Sequence, residues 1–291
     1  MHKAELYHST NQLQRRDATD CLQQLANKIK WKKLDARVLD IGCGDGSVTA
    51  KILKEFIPDN FEKLLGCDIS EKMVAFANAH HSDDKTSFTV LDIQGPLPEN
   101  MKCSFDHVFS FYALHWVKKQ EEAFRNIYNL LAEDGECVLA FLGFHPIYSA
   151  FLTLSQSNKW STWLENVDIF ISPYYNVQEP EKVIRRLMSN IGFTDISIEY
   201  QPKLFVYDSI ATIKRLNPFH MPNDVFDEFM LDYEKVLYDM NLVKEGTKMK
   251  PACVHTNYKL LVVYGRKPTN NDPTYVVGKL FLLLLFGYNE D

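Results

Sequence analysis

Two hydrophobic periodicities run along the chain. Residues 10–30 set Leu13, Ala18, Cys21, Leu22 and Leu25 at helical spacing behind the candidate caps Ser9 and Thr10. From residue 36 the pattern changes to short apolar runs separated by polar helical stretches. "RVLDI" is an apolar strand running into the glycine turn "GCGDG", with a helix start at Ser47. "KLLGCD" is a second strand followed by the helix "EKMVAFANAH". "TSFTVLDI" (86–93) is a third, and "FDHVFSF" (105–111) a fourth. The helix "QEEAFRNIYNLLAEDGE" closes near Gly135, and "ECVLAFLGF" (136–144) is a fifth strand. Strands alternating with helices of this length predict parallel βαβ units, hence a doubly wound α/β sheet.

After residue 145 the alternation slows. Residues 147–190 read as helices with a loop at "SPYYNVQEPE", and "DISIEYQPKLFVY" (195–207) as a strand or a strand pair. Residues 209–243 are helical again, and "VHTNYKLLVVYGRK" (254–267) is a last strand. Helices inserted between the final strands of a seven-stranded sheet predict a cap over its carboxyl edge, where ligands bind in such folds. The expected organisation is one domain over 1–267. It comprises a helical lid (1–30), a cofactor core (36–145), cap helices with the sixth strand (146–253) and the last strand (254–267). A tail follows at 268–291.

Composition narrows the class. The chain has 291 residues, 46% of them hydrophobic and 13% aromatic, enough for a sizeable core. A net charge of −6, from 32 basic and 38 acidic residues, leaves no nucleic-acid footprint. Six cysteines without CxxC spacing, behind a polar N-terminus, fit reduced thiols and a cytoplasmic location. The apolar run Leu280–Phe286 is far shorter than the roughly 20 residues of a spanning helix. Neither membrane insertion nor a metal cluster is expected, and oligomeric state is not encoded in any recognisable way.

The chemistry starts at the strand ends. Gly42, Gly44 and Gly46 allow a tight turn that brings backbone N–H groups to a charged ligand at a helix start. The spacing D-x-G-x-G-x-G differs from the dinucleotide fingerprint G-x-G-x-x-G and favours S-adenosylmethionine over NAD. Asp40 precedes the loop, where an acid can hold an ammonium directly or through water. Asp68, at the end of the second strand, suits a pair of ribose hydroxyls, a group NAD shares. Asp92 with Ile93 suits an adenine amino group and ring, and Cys43 and Ile69 complete the expected cofactor surface. The competing reading is that strand-end acids only cap the helices that follow.

The fourth strand exits into "YALHW". If the chemistry is methyl transfer, an amine or alcohol acceptor usually needs a base to take its proton, whereas a carboxylate is already ionised at neutral pH and needs none. It needs neutral donors that hold the carboxylate in line, and exclusion of water. Trp116 has an N–H that donates and cannot accept. His115 is a donor, or a ring that structures the loop or stacks near the cofactor, and Tyr112 a pocket wall; both are counted with the cofactor-binding residues. In the N-terminal helix Gln14 is a second neutral donor. Arg16 is a candidate partner for the cofactor's methionine carboxylate. Both also fit an ordinary helix surface.

"LYHSTNQLQRRDA", "VLDIGCGDGSVT", "GCDISEKMV", "FDHVFSFYALHWV", "AFRNIYNLL" and "WLENVDIFISPY" together resemble the insect juvenile hormone acid O-methyltransferases, over about residues 5–267. The resemblance implies a class I, Rossmann-like methyltransferase that uses S-adenosylmethionine to esterify farnesoic acid or juvenile hormone acid. It implies that Gln14 and Trp116 hold the substrate carboxylate. A sesquiterpenoid needs a long apolar pocket, for which the cap offers Phe144, Ile147, Tyr148, Phe151, Trp160, Trp163, Phe170 and Ile171. Two departures stand out. The stretch 208–224 is shorter than the family pattern, and the tail beyond Lys267 is foreign to it. They leave open a paralogue that methylates another lipophilic acid, or a weakly active homologue that binds ligand.

Overall fold

The computed structural model describes residues 11–215, 217–246 and 252–269. Its sheet runs β3-β2-β1-β4-β5-β8-β6. The strands are β1 (Arg37–Ile41), β2 (Lys63–Asp68), β3 (Thr86–Val90), β4 (Phe105–Phe111), β5 (Leu131–Phe144), β6 (Thr194–Tyr207) and β8 (Cys253–Arg266). The two-residue β7 (Val243–Lys244) pairs off this path with β8. Strands β1 to β5 are mutually parallel, and β8 lies antiparallel between β5 and β6. The strand order reverses direction at β1 and β4, and the crevice at such a switch point is where ligands enter α/β sheets.

The helices are α1 (Gln12–Leu25), α2 (Lys54–Phe56), α3 (Glu71–His81), α4 (Gln120–Leu130), α5 (Pro146–Ser155), α6 (Pro180–Ile191), α7 (Ile210–Arg215) and α8 (Asn223–Asp239). One core joins α1, α5 and α8 to side chains such as Val38, Phe109, Val138 and Leu260. A second joins α4 and α6 to Leu39, Val108, Leu139 and Leu261 on the opposite face. The alternation of neighbours such as Val38 and Leu39 between the two cores is the period-2 alternation of a sheet covered on both sides.

Several expectations shift. The helix after β4 ends at Leu130, because Leu131 already pairs with Phe105, and β5 begins there. Strand β3 stops at Val90, so Asp92 sits in the turn beyond it. Residues 195–207 form part of one strand rather than a pair, in spite of Pro202. Strand β6 is the sheet edge, and proline is tolerated where no second neighbour asks for an N–H. The cap candidates Ser9 and Thr10 and the run Leu280–Phe286 lie outside the described residues. Within them, no helix is long and apolar enough to cross a membrane.

Candidate active site

The glycine loop is held from below. Gly42 and Cys43 N–H both donate to Cys67 O, at 2.7 and 2.9 Å, and Gly44 N–H donates to Asp68 Oδ2 at 3.0 Å. Gly42 has φ +73°, and a Cβ there would stand 2.1 Å from the Ala113 Cβ. Only glycine lets the loop lie this close to the exit of β4. Beyond the loop, Thr49–Leu53 is wound as a π-helix that runs into α2. Thr49 Oγ1 donates to Asp40 Oδ2 at 2.6 Å. Burial pushes the Asp40 carboxyl up to about 7, against that hydrogen bond.

Asp68 Oδ1 accepts Ser70 N–H at 2.9 Å, so each oxygen takes one backbone bond. A carboxylate has about four acceptor sites, which leaves capacity for two hydroxyls. Ile69 beside it is 63% exposed. Asp92 Oδ1 accepts Gln94 N–H at 3.0 Å, and Ile93 is buried next to it. This donor set fits an adenosylated ligand: left-handed backbone at the loop glycines, an acid with spare lone pairs, and an uncovered apolar side chain beside it.

Above the loop lies the exit of β4. Tyr112 holds a left-handed backbone, φ +60°, and its N–H donates to Ala140 O at 2.7 Å. Residues Leu114–Trp116 then form a 3₁₀ turn. His115 is buried; its Nδ1 accepts Leu142 N–H at 3.4 Å, which puts the ring proton on Nε2. Burial pushes its pKa down to about 3, so the ring is neutral at physiological pH. It packs edge-on to Tyr112 at 5.8 Å and tilted on Trp116 at 4.9 Å. The Trp116 indole is 39% exposed, and its N–H has no acceptor among the described residues.

Helix α1 closes over this ground through three residues on one face. Asn11 Nδ2 donates to Ser47 Oγ of the loop segment at 2.9 Å. Asp17 Oδ2 accepts the Tyr112 hydroxyl at 2.5 Å. Gln14 lies midway at i, i+3 spacing and so on the same face. Its Oε1 is buried and accepts nothing. A buried acceptor left unpaired costs on the order of 1–3 kcal/mol. Arg16 is engaged elsewhere: it binds Asp17, the Tyr258 hydroxyl at 2.5 Å and Leu204 O at 2.9 Å, over the Phe205 ring.

The apolar candidates divide. Phe170 meets Trp116 edge-on at 6.4 Å, and Phe219 packs edge-on to both Phe151 and Phe170 at 4.9 Å. Lys118 ties this segment to the β4 exit by donating to Asp168 O and Ile171 O. Phe144 stacks on Tyr175, Ile147 is half-buried, and the buried Tyr148 hydroxyl has no partner. Trp160 instead donates its N–H to Asp232 of α8 at 3.1 Å and belongs to the packing of the cap. Trp163 is 45% exposed and outside the stacked rings. The sequence reasoning passed over Asn11, Asp17, Lys118 and Phe219. Asp17 had a signal: a lone acid on the apolar stripe of Leu13, Ala18 and Cys21. The others depend on partners remote in the chain.

Residues 39–137 match the family described as a methyltransferase domain. The juvenile hormone acid O-methyltransferase of Bombyx mori is 48% identical over 273 residues, covering 92% of this chain and 98% of its own. That of Drosophila melanogaster is 38% identical over 277 residues, covering 92% and 93%. Among solved structures, YcgJ of Bacillus subtilis superposes with a TM-score of 0.55 at 16% identity, covering 86% of this chain and 99% of its own. Phosphoethanolamine N-methyltransferase 2 of Haemonchus contortus, solved with S-adenosyl-L-methionine, gives 0.52 at 18%, covering 86% and 53%. These two similarities establish the fold. The two insect relatives, aligned nearly end to end, establish more: the chain is an S-adenosylmethionine-dependent methyltransferase and belongs to the juvenile hormone acid O-methyltransferase family.

Proposed function

We propose that the protein esterifies the carboxylate of a linear sesquiterpenoid acid, farnesoic acid or juvenile hormone acid, with Gln14 and Trp116 holding that carboxylate. The observation that carries this reading is the pair of unengaged neutral groups above the glycine loop. They are the half-buried Gln14, whose buried Oε1 has no partner, and the partly exposed Trp116. Rotation about its terminal torsion turns the NH₂ end of the Gln14 amide to a ligand. The names of the two insect relatives supply the substrate class.

Bound S-adenosylmethionine supplies an electrophilic methyl group on a sulfonium. The chain's own residues have three tasks. Two N–H donors fix one carboxylate oxygen and leave the other free to form the new O–CH₃ bond as the S–CH₃ bond breaks. No proton leaves, so no base is required, and a neutral His115 fits that demand. Neutral donors neither quench the nucleophile nor repel the sulfonium, as a lysine or arginine clamp would. The rings of Phe170, Phe219 and Phe151 beside Trp116 provide an apolar wall for the chain of the acid and keep water from the methyl group. We take α1 as the lid over this centre, and the cytosol as its compartment, in keeping with six free cysteines.

The test is turnover with farnesoic and juvenile hormone acids, read as methyl ester by mass spectrometry. Trp116→Phe and Gln14→Ala are each expected to lower kcat/KM for the acid roughly 10- to 100-fold, the cost of removing one preorganised donor. Affinity for S-adenosylhomocysteine should stay within about twofold. Undiminished ester formation by either folded variant would remove that residue from the proposed role.

A further inference from the structure

Asp17 is completely buried on α1, and its carboxylate is held by hydrogen bonds from four side chains. Its Oδ2 accepts the Tyr112 hydroxyl at 2.5 Å and the Tyr258 hydroxyl at 2.6 Å. Its Oδ1 accepts Arg16 Nη2 at 3.0 Å and Lys203 Nζ at 3.3 Å. Through these bonds one carboxylate joins the helix to the exit of β4, to β8 and to the edge strand β6. Arg16 extends the reach to Leu204 O.

Helix α1 already buries Leu13, Ala18, Cys21 and Leu22, so its apolar packing does not call for an acid at position 17. A buried carboxylate is costly unless fully paired, and this one is paired with residues on β6, on β8 and just beyond β4 as well as with Arg16. It also has directional bonds, which apolar contacts lack. Gln14 stands one turn before it on the same helix face, and Trp116 stands four residues beyond Tyr112. The left-handed backbone of Tyr112 aims that stretch, and its hydroxyl is anchored on Asp17.

We infer that Asp17 is a positioning residue that sets the register between Gln14 on α1 and Trp116 at the β4 exit, so that both donors meet one carboxylate. The inference rests on the proposed roles of Gln14 and Trp116. A displacement of about 1 Å between such groups is enough to cost on the order of 100-fold in rate. A residue that served only to stabilise the fold would act independently of Gln14.

The test is a double-mutant cycle on kcat/KM for the acid, using the full chain, with S-adenosylhomocysteine affinity as the check that the cofactor site is intact. Asp17→Asn alone is expected to lose roughly 30- to 100-fold with that affinity within about twofold. Added to Gln14→Ala, it is expected to cost at most about threefold more, because the register has no donor left to place. Losses that multiply in the double variant overturn the inference while leaving Gln14 in its role. Wild-type turnover by folded Asp17→Asn also overturns it. If Gln14→Ala alone turns over normally, the underlying assignment of Gln14 fails first, and this inference with it. Should Asp17→Asn not fold, Tyr258→Phe removes one donor from the same carboxylate and takes its place in the cycle. There a loss of about fivefold that disappears on the Gln14→Ala background supports the inference, and a loss that persists in full overturns it.

Discussion

Asp40 illustrates how a single side chain couples the loop to pH. Its carboxyl lies beneath the glycines, bonded to Thr49, and burial raises its pKa to about 7. An acid whose folded pKa stands above its unfolded value binds a proton more tightly in the folded chain. The ligand-free protein therefore loses this contribution to stability as pH rises from about 4 to about 7. A ligand with an ammonium group, which prefers the ionised carboxylate, gains through the same window. Affinity for S-adenosylhomocysteine is expected to rise by up to roughly tenfold per unit below pH 7 and then level off. Asp40→Asn should flatten the curve in calorimetric titrations across pH 5.5–8.5. An unchanged slope in that variant would assign the dependence to another group. The acid before the glycines was legible from the sequence alone. Asp68 was legible as a strand-end acid suited to ribose hydroxyls. The bond from Thr49 and the burial that raises the Asp40 pKa were not, since desolvation depends on what packs around the carboxyl.

Strands β1, β2 and β3 announced themselves because each is a short apolar run that ends in or soon meets a glycine or an acid, and β4 and β5 as apolar runs on either side of a helix. The elements that build the acceptor side did not. The single edge strand β6 read equally well as a hairpin because Pro202 interrupts it, and nothing local says that it has only one neighbour. The ring cluster of α5, α8 and the segments around Phe170 and Phe219 is assembled from four stretches of chain. Its apolar residues were visible, but not which would face one another: Trp160 turned to Asp232 and Trp163 to solvent. Phe219 is the joint of this cluster, in edge contact with Phe151, Phe170 and Phe229. Phe219→Ala is expected to lower kcat/KM for a long-chain acid roughly tenfold more than for a short one, since only the long chain uses the wall. Equal losses for both acids, measured side by side, would show that the cluster serves the fold and not the chain of the substrate.

At the scale of the molecule, one sheet carries two functions on either side of its switch point. In the proposed reading, β1, β2 and the turn after β3 carry the glycines and acids for the cofactor. The exit of β4, α1 and the cap carry the neutral donors and rings proposed for a lipophilic acid. Helix α1 spans the two, bonded to the loop at Asn11 and to β4 at Asp17. That division suits a reaction in which the protein orients two partners and moves no proton. The most direct measurement is methyl transfer from S-adenosylmethionine with a labelled methyl group to farnesoic or juvenile hormone acid carrying two ¹⁸O atoms. The account predicts a methyl ester that holds the label and both heavy oxygens, formed at a kcat that is flat between pH 6.5 and 9. No ester from protein that binds S-adenosylhomocysteine, or an ester that has lost an ¹⁸O, would contradict it.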